Sequence, residues 1–304
     1  MPPVVRSAAC LALLLVAFAA RAADESATRT IEAEGASVRV DFDSTDFKHG
    51  SAAVVEWIEH SMKTVARYYG QFPAKQLRIR VLTGSGSRVR GGTTYGTAVP
   101  FIRLQLGREV TVEEMHDDWV LVHEMVHLAL PEVGDDHVWL TEGLSTYVEG
   151  IARVHVGDLP AERVWAEQVR SMPNGLPRAG DQGLDNTHTW GRTYWGGALF
   201  CLLADVEIRK KTGNRFGLRD AMRAVLRASG GVAFEMPIER IMKIGDEATG
   251  TTVMQDLYAQ MKDRAVSPDL PTLWKQLGIR QRGDSVELQD DAPLAATRKA
   301  IMTP

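Results

Sequence analysis

His123-Glu124-Met125-Val126-His127 is the stretch on which the reading of this chain turns. On a helix, side chains four residues apart lie on one face, so both imidazoles can reach one metal ion. Glu124 then projects beside that face, where it can take a proton from metal-bound water. The neighbours predict that the segment is helical and buried. Met115, Trp119, Val122, Val126 and Ala129 recur at helical spacing, and Leu121 and Leu128 add a second apolar side. Two histidines and a glutamate on a buried face carry a desolvation cost that a bound metal removes. Histidine and carboxylate donors in this pattern favour zinc. The alternative is two core histidines satisfied by hydrogen bonds.

Working outward, Thr111 and Glu114 fit a capping box for a helix running to about Leu130, where Pro131 stops it. Trp139-Leu140-Thr141-Glu142-Gly143 opens the next predicted helix, 141–155, with Thr141 as its N-cap. Fourteen residues lie between His127 and Glu142, enough for a turn and an antiparallel return. Glu142 is therefore the expected third ligand. Two histidines and one glutamate leave a fourth position for water, as in catalytic zinc sites. Glu149 shares a face with Glu142 and is the alternative ligand, read as a surface or supporting residue. His116 lies two turns before His123 on the same face and is read as structural.

The N-terminal part carries a different pattern. Residues 28–42 read as two strands around Glu34-Gly35, and Val54, Ile58, Met62, Val65 and Tyr69 mark a helix closed by Gly70 and Pro73. Residues 77–82 alternate as a strand, 84–92 read as a glycine-rich loop, and 98–106 as a strand whose Pro100 argues for an edge. Gly84-Ser85-Gly86-Ser87 is no phosphate loop, because no Gly-Lys-Ser/Thr follows. Further helices are expected at 160–171, 194–211, 217–228, 251–264 and 292–302, with a strand at 278–288. The predicted class is α+β, with a β-containing N-terminal lobe (23–110) and a helical lobe (111–304) forming one catalytic domain around the zinc site.

Composition and the N-terminus narrow the setting. The 304 residues are 44% hydrophobic and 24% charged, which excludes disordered, collagen-like and coiled-coil chains. The net charge is −4 with no long basic run, so nucleic acid is not an expected partner. Residues 1–6 are short and positive, 7–20 are apolar, and Ala20-Arg21-Ala22 is a small-x-small site, the pattern of a secretory signal cleaved after Ala22. Cleavage removes Arg6 and Arg21 and takes the charge from −4 to −6. No later stretch approaches the length of a membrane-spanning helix. Cys10 precedes the apolar run, out of place for a lipoprotein site, and Cys201 is then left alone. Export without a disulfide fits a bacterial periplasmic protein.

His123-Glu124-x-x-His127 followed by Trp139-Leu140-Thr141-Glu142-Gly143-Leu144-Ser145-Thr146-Tyr147 resembles the gluzincin metallopeptidases, the thermolysin-like and aminopeptidase clan. Tyr194-Trp195-Gly196-Gly197-Ala198-Leu199, the segment 202–209, and the ending Leu277-Gly278-Ile279 with 291–295 are similar to the glycyl aminopeptidase family. The likeness covers roughly residues 90–300. It implies a thermolysin-like zincin fold, a bound Zn2+, and an oxyanion-stabilising role for Tyr194; a phenol donor there suits charge growing on a carbonyl oxygen. His188, in the preceding loop, is a second donor candidate or a surface histidine. Two departures stand out. The loop between His127 and Glu142 is shorter than in the aminopeptidases. Their upstream Gly-x-x-Glu segment, whose glutamate holds the free amine, here reads Gly91-Gly92-Thr93-Thr94-Tyr95-Gly96, with no acid.

The expected function is therefore zinc-dependent hydrolysis of peptide bonds with Glu124 as general base, as an endopeptidase because that acid is missing. An aminopeptidase is the alternative. The third reading is a zinc protein that binds peptides without cutting them, against which the non-ligand acid Glu124 argues. Gly91 to Gly96 and the strand after it are expected to pair with an extended peptide.

Overall fold

The computed structural model describes residues 27–304; the predicted signal segment and Cys10 lie outside them. A five-stranded sheet opens the fold in the order β1-β2-β3-β5-β4: β1 (Thr28–Ala33), β2 (Ala36–Phe42), β3 (Gln76–Gly84), β4 (Val89–Tyr95) and β5 (Phe101–Gly107). Glu34 and Gly35 both take positive φ, 52° and 72°, the two-residue turn that matches strand twist in a hairpin. β2 crosses to the parallel β3 through α1 (Gly50–Tyr69), and β3 pairs in parallel with β5. Alternate residues Val38, Val40, Ile79, Val81, Ile102 and Leu104 are buried, as are Val54, Ile58, Met62 and Val65 of α1.

Two strand readings are corrected. The strand expected at 98–106 starts at Phe101 and lies inside the sheet, between β3 and β4. Pro100 precedes it, and its carbonyl accepts from the Arg78 amide at 3.0 Å, so the missing N–H costs no ladder bond. The second half of the expected loop 84–92 is strand: β4, antiparallel to β5, forms the edge and contains Gly91 and Gly92.

The remainder is mostly helical. α2 (Val112–Asp117) and α3 (Val120–His127) lead through a 3-10 turn to α4 (Val138–Val156), followed by α5 (Ala161–Ser171). A single π-helical turn, Gly191–Gly196, runs into α6 (Gly197–Thr212). α7 (Leu218–Ser229), α8 (Ile238–Thr249), α9 (Val253–Met261), α10 (Leu270–Leu277), the hairpin β6 (Ile279–Arg282) and β7 (Ser285–Leu288), and α11 (Ala295–Met302) complete the order. The Thr111–Glu114 capping box forms, with the Glu114 amide 3.1 Å from Thr111 Oγ1. It caps only α2. The single helix expected over 111–130 breaks at Asp118, whose extended backbone lets its carboxylate accept from the Val120 amide at 2.7 Å and start α3 afresh. α4 begins at Val138, so Thr141 is not its cap; the Thr141 hydroxyl donates to the Val138 carbonyl at 3.0 Å.

α4 and α6 form the buried centre. Asp205 of α6 accepts from Tyr147 of α4 at 2.9 Å and from Arg209 at 2.7 Å, which satisfies buried charges that would otherwise oppose packing. Sheet and helices share one cluster of buried apolar side chains. Cys201 is a buried free thiol. Among the described residues, no helix is long and apolar enough to cross a membrane.

Candidate metal centre

α3 carries His123 and His127 one turn apart, and α4 brings Glu142 to face them. Glu142 Oε2 lies 3.2 Å from His123 Nε2 and 3.5 Å from His127 Nε2. One donor atom from each residue lies within 4.8 Å of the other two, and no other such cluster occurs among the described residues. Two imidazole nitrogens and a carboxylate oxygen aimed at one point fit a divalent transition metal. Burial raises the Glu142 carboxyl, but its contacts with His123 and His127 outweigh that and hold it down at about 2. Burial lowers His123, which keeps the neutral imidazole a metal needs. His127 goes the other way: burial lowers it, and Glu142, Glu124 and Glu132 together raise it.

Glu124 stands outside the trio, buried against the edge strand. The Thr94 hydroxyl of β4 lies 2.7 Å from Glu124 Oε2 and 2.8 Å from the Glu124 carbonyl. Gly92 makes this approach possible: a Cβ there would fall 2.9 Å from Glu124 Cδ and 3.1 Å from Oε1. The cleft above these residues, of about 620 Å³, is lined by Arg90 to Thr94 of β4, by α3, and by Glu142 and Tyr194.

Tyr194 sits in the π-helical turn, its ring stacked on His123 at 6.3 Å between centroids. Burial, then the charges of Glu142 and Glu124, push its phenol up to about 12, so it keeps its proton and can donate. A close crossing of α4 and α6 sets this position. A Cβ on Gly143, the residue after Glu142, would meet the Gly197 backbone and lie 2.6 Å from the Ala198 nitrogen.

His116 and His188 lie outside the trio. The His188 side chain is 54% exposed and 3.9 Å from Asp136, while His116 packs against the His60 ring at 5.1 Å. Glu149 departs from the ligand reading and from the surface one. It is not in the trio, and it is buried rather than at the surface, with Oε2 lacking a hydrogen bond and 3.5 Å from Arg153. Burial pushes its carboxyl up to about 8.

The stretch 91–96 was expected to pair with a substrate peptide, but the contact of Gly92 and Thr94 with Glu124 was not foreseen, and Glu132 was not singled out. A Gly-Gly-Thr-Thr run carries no acid to mark such a contact; the pairing of β4 with β5 is what sets Thr94 against Glu124. Glu132 lies exposed past the end of α3, with its carboxylate against Gly96, where a Cβ would overlap Oε1.

No family model matches the chain, and no curated protein does. Solved structures share its fold. An aminopeptidase N family protein from Idiomarina loihiensis superposes with a TM-score of 0.60 at 12% identity, over 83% of this chain and 49% of that one. A two-domain M1 zinc metallopeptidase, in a mutant form bound to L-arginine, gives 0.52 at 15% identity, over 80% of this chain and 52% of that one. An M1 zinc metallopeptidase from Deinococcus radiodurans gives 0.50 at 14% identity, over 79% and 52%. The chain spans about half the length of these structures. About half of each of those chains shares this chain's fold, a fold found in M1 zinc metallopeptidases.

Proposed function

We propose that this chain is a zinc-dependent metallopeptidase that removes residues from the N-terminus of peptides. The observation that carries the reading is the convergence of His123, His127 and Glu142 beside a fourth, non-ligand acid, Glu124, in one cleft. His123, His127 and Glu142 would hold the zinc ion, which supplies a positive charge that polarises a carbonyl and acidifies water. Glu124 takes the proton from the attacking water and returns it to the leaving amine, with the Thr94 hydroxyl fixing its carboxylate. Tyr194 donates to the carbonyl oxygen as negative charge builds there. The free edge of β4 pairs with the extended peptide through main-chain hydrogen bonds. The arrangement is that of a thermolysin-like zincin, with the metal between the sheet-bearing and helical parts.

The shared fold favours an aminopeptidase over the endopeptidase that the missing acid led us to expect. Glu132 supplies an acid from a different element: its carboxylate rests on Gly96, at the end of the segment that lacks one, and its charge raises His127. It is positioned to hold a substrate's α-ammonium. The N-terminal signal pattern supports action in a bacterial periplasm after removal of residues 1–22.

A mass-spectrometric digest of a mixed peptide library by zinc-loaded protein, with Glu124→Gln beside it, tests the reading. Stepwise N-terminal trimming that vanishes in the variant is expected. Internal cuts would restore the endopeptidase, and folded, zinc-bound protein that cuts nothing would leave a peptide-binding zinc protein.

A further inference from the structure

A second cavity, of about 300 Å³, opens beside the metal centre at the Trp119 end of α3 and shares His123 and Tyr194 with it. Its mouth is aromatic. Trp119 and Trp190 are 48% and 62% exposed, and Trp190 stacks on Tyr194 at 6.0 Å. Its inner wall is largely apolar, with Val164 and Met172, but Glu149 and Gln168 are set into it, only 9% and 4% exposed. Glu149 Oε2 and Gln168 Oε1 are both buried without a hydrogen-bond partner. An acceptor left in that state costs about 1–3 kcal/mol, so this wall suits a guest that brings N–H groups. Glu167 lines the cavity too, and no lysine or arginine does. Arg153 reaches Glu149 from outside, at 3.5 Å, with Nη2 held by the His116 and Asp117 carbonyls at 2.9 Å. Exposed indole faces attract a cation as well.

We propose that this cavity receives the side chain of a lysine or arginine next to the scissile bond, with Glu149 and Gln168 accepting from its terminal nitrogens and Trp119 and Trp190 flanking its stem. The inference rests on the peptidase reading above. Glu149 lies seven residues beyond Glu142, two turns and about 10 Å along α4. That is too far for an α-ammonium two bonds from the reacting carbon, and within reach of an extended basic side chain. Glu132 lies past the opposite end of α3. A free amine held there places the residue that follows the cut in this cavity.

The test uses peptides identical except for lysine, arginine, norleucine or glutamate at that position. Cleavage by zinc-loaded protein is followed by kcat/KM, and binding to zinc-loaded Glu124→Gln by calorimetry. Lysine and arginine should exceed norleucine at least ~10-fold in both, about 1.4 kcal/mol. Glu149→Gln should bring the ratio close to one at unchanged zinc content. Gln168→Leu should lower it too, and it covers the case in which Glu149→Gln does not fold. Equal handling of lysine and norleucine overturns the proposal, while cleavage of both leaves the peptidase reading standing. Loss spread evenly over all peptides, together with loss of zinc, also overturns it, because Glu149 would then be supporting His123. If nothing is cut but basic peptides still bind more tightly through Glu149, the cavity assignment holds and the peptidase reading falls.

Discussion

Gly92→Ala probes how closely the edge strand and the proposed general base are fitted. The added methyl would sit 2.9 Å from Glu124 Cδ, while non-bonded carbons settle at about 3.5–4.0 Å. Glu124 Cγ lies nearer still, so the side chain must retreat by more than ~1 Å, or β4 must lift off α3 by as much. Either movement weakens the 2.7 Å contact with Thr94 and moves the base from its water. A misplacement of this size costs about 10²-fold in rate, close to 2.7 kcal/mol of transition-state stabilisation. The assay is kcat/KM on the best peptide from the library digest, with zinc content measured on the same samples. Glu124→Gln and the double variant complete a cycle, in which the alanine should add little once the base is gone. Full activity in Gly92→Ala at one zinc per chain would refute the reasoning. So would a double variant whose losses simply add.

Tyr194→Phe keeps the ring on His123 and removes only the donor, so kcat should fall about 10²-fold with KM little changed, measured by steady-state kinetics. Gly143→Ala forces α4 from the α6 backbone at Gly197 and should cost about 2–3 kcal/mol in urea unfolding, with zinc affinity falling as Glu142 shifts. His155, stacked on Tyr68 and bonded to the Ile301 carbonyl at 3.1 Å, is pushed down to about 4 by burial. The unfolded chain protonates that residue near ~6.5, so its contribution is intact above that pH and is lost as pH falls from ~6.5 towards 4, by about 3 kcal/mol. His155→Phe should flatten the fall in urea midpoint between pH 7 and 4.5.

The proposed metal ligands were legible because their spacing is itself the signal: helical geometry puts His123 and His127 on one face, and a glutamate on the next helix can meet them. The Glu34-Gly35 hairpin and the Thr111 capping box were legible for the same reason, since each is a local rule satisfied by a few adjacent residues. The break at Asp118 was not, because the apolar spacing of Met115, Trp119 and Val122 continues through it, and only the Asp118 bond to the Val120 amide reveals a new start. Pro100 was misread because a proline just before a central strand looks, in sequence, like one on an edge. α8 and α10 went unseen, although Ile238, Ile241, Met242 and Gly245 of α8 bury one face. The stretch 91–96 was expected at the substrate, but the contact of Gly92 and Thr94 with Glu124 and the place of Glu132 depend on long-range pairing of β4 and the turn after α3, which no short-range pattern encodes. Glu149 was recognised by its shared face with Glu142, but its burial depends on α5 and the π-helical turn packing over it.

X-ray absorption on zinc-loaded protein, paired with metal analysis of wild type, His127→Ala and Glu142→Ala, tests the central claim most directly. The account predicts one zinc per chain with two imidazole nitrogens and oxygen donors at about 2.0–2.2 Å, and marked loss of affinity in both variants. Zinc bound with other ligands, or held equally well by His127→Ala and Glu142→Ala, would contradict it.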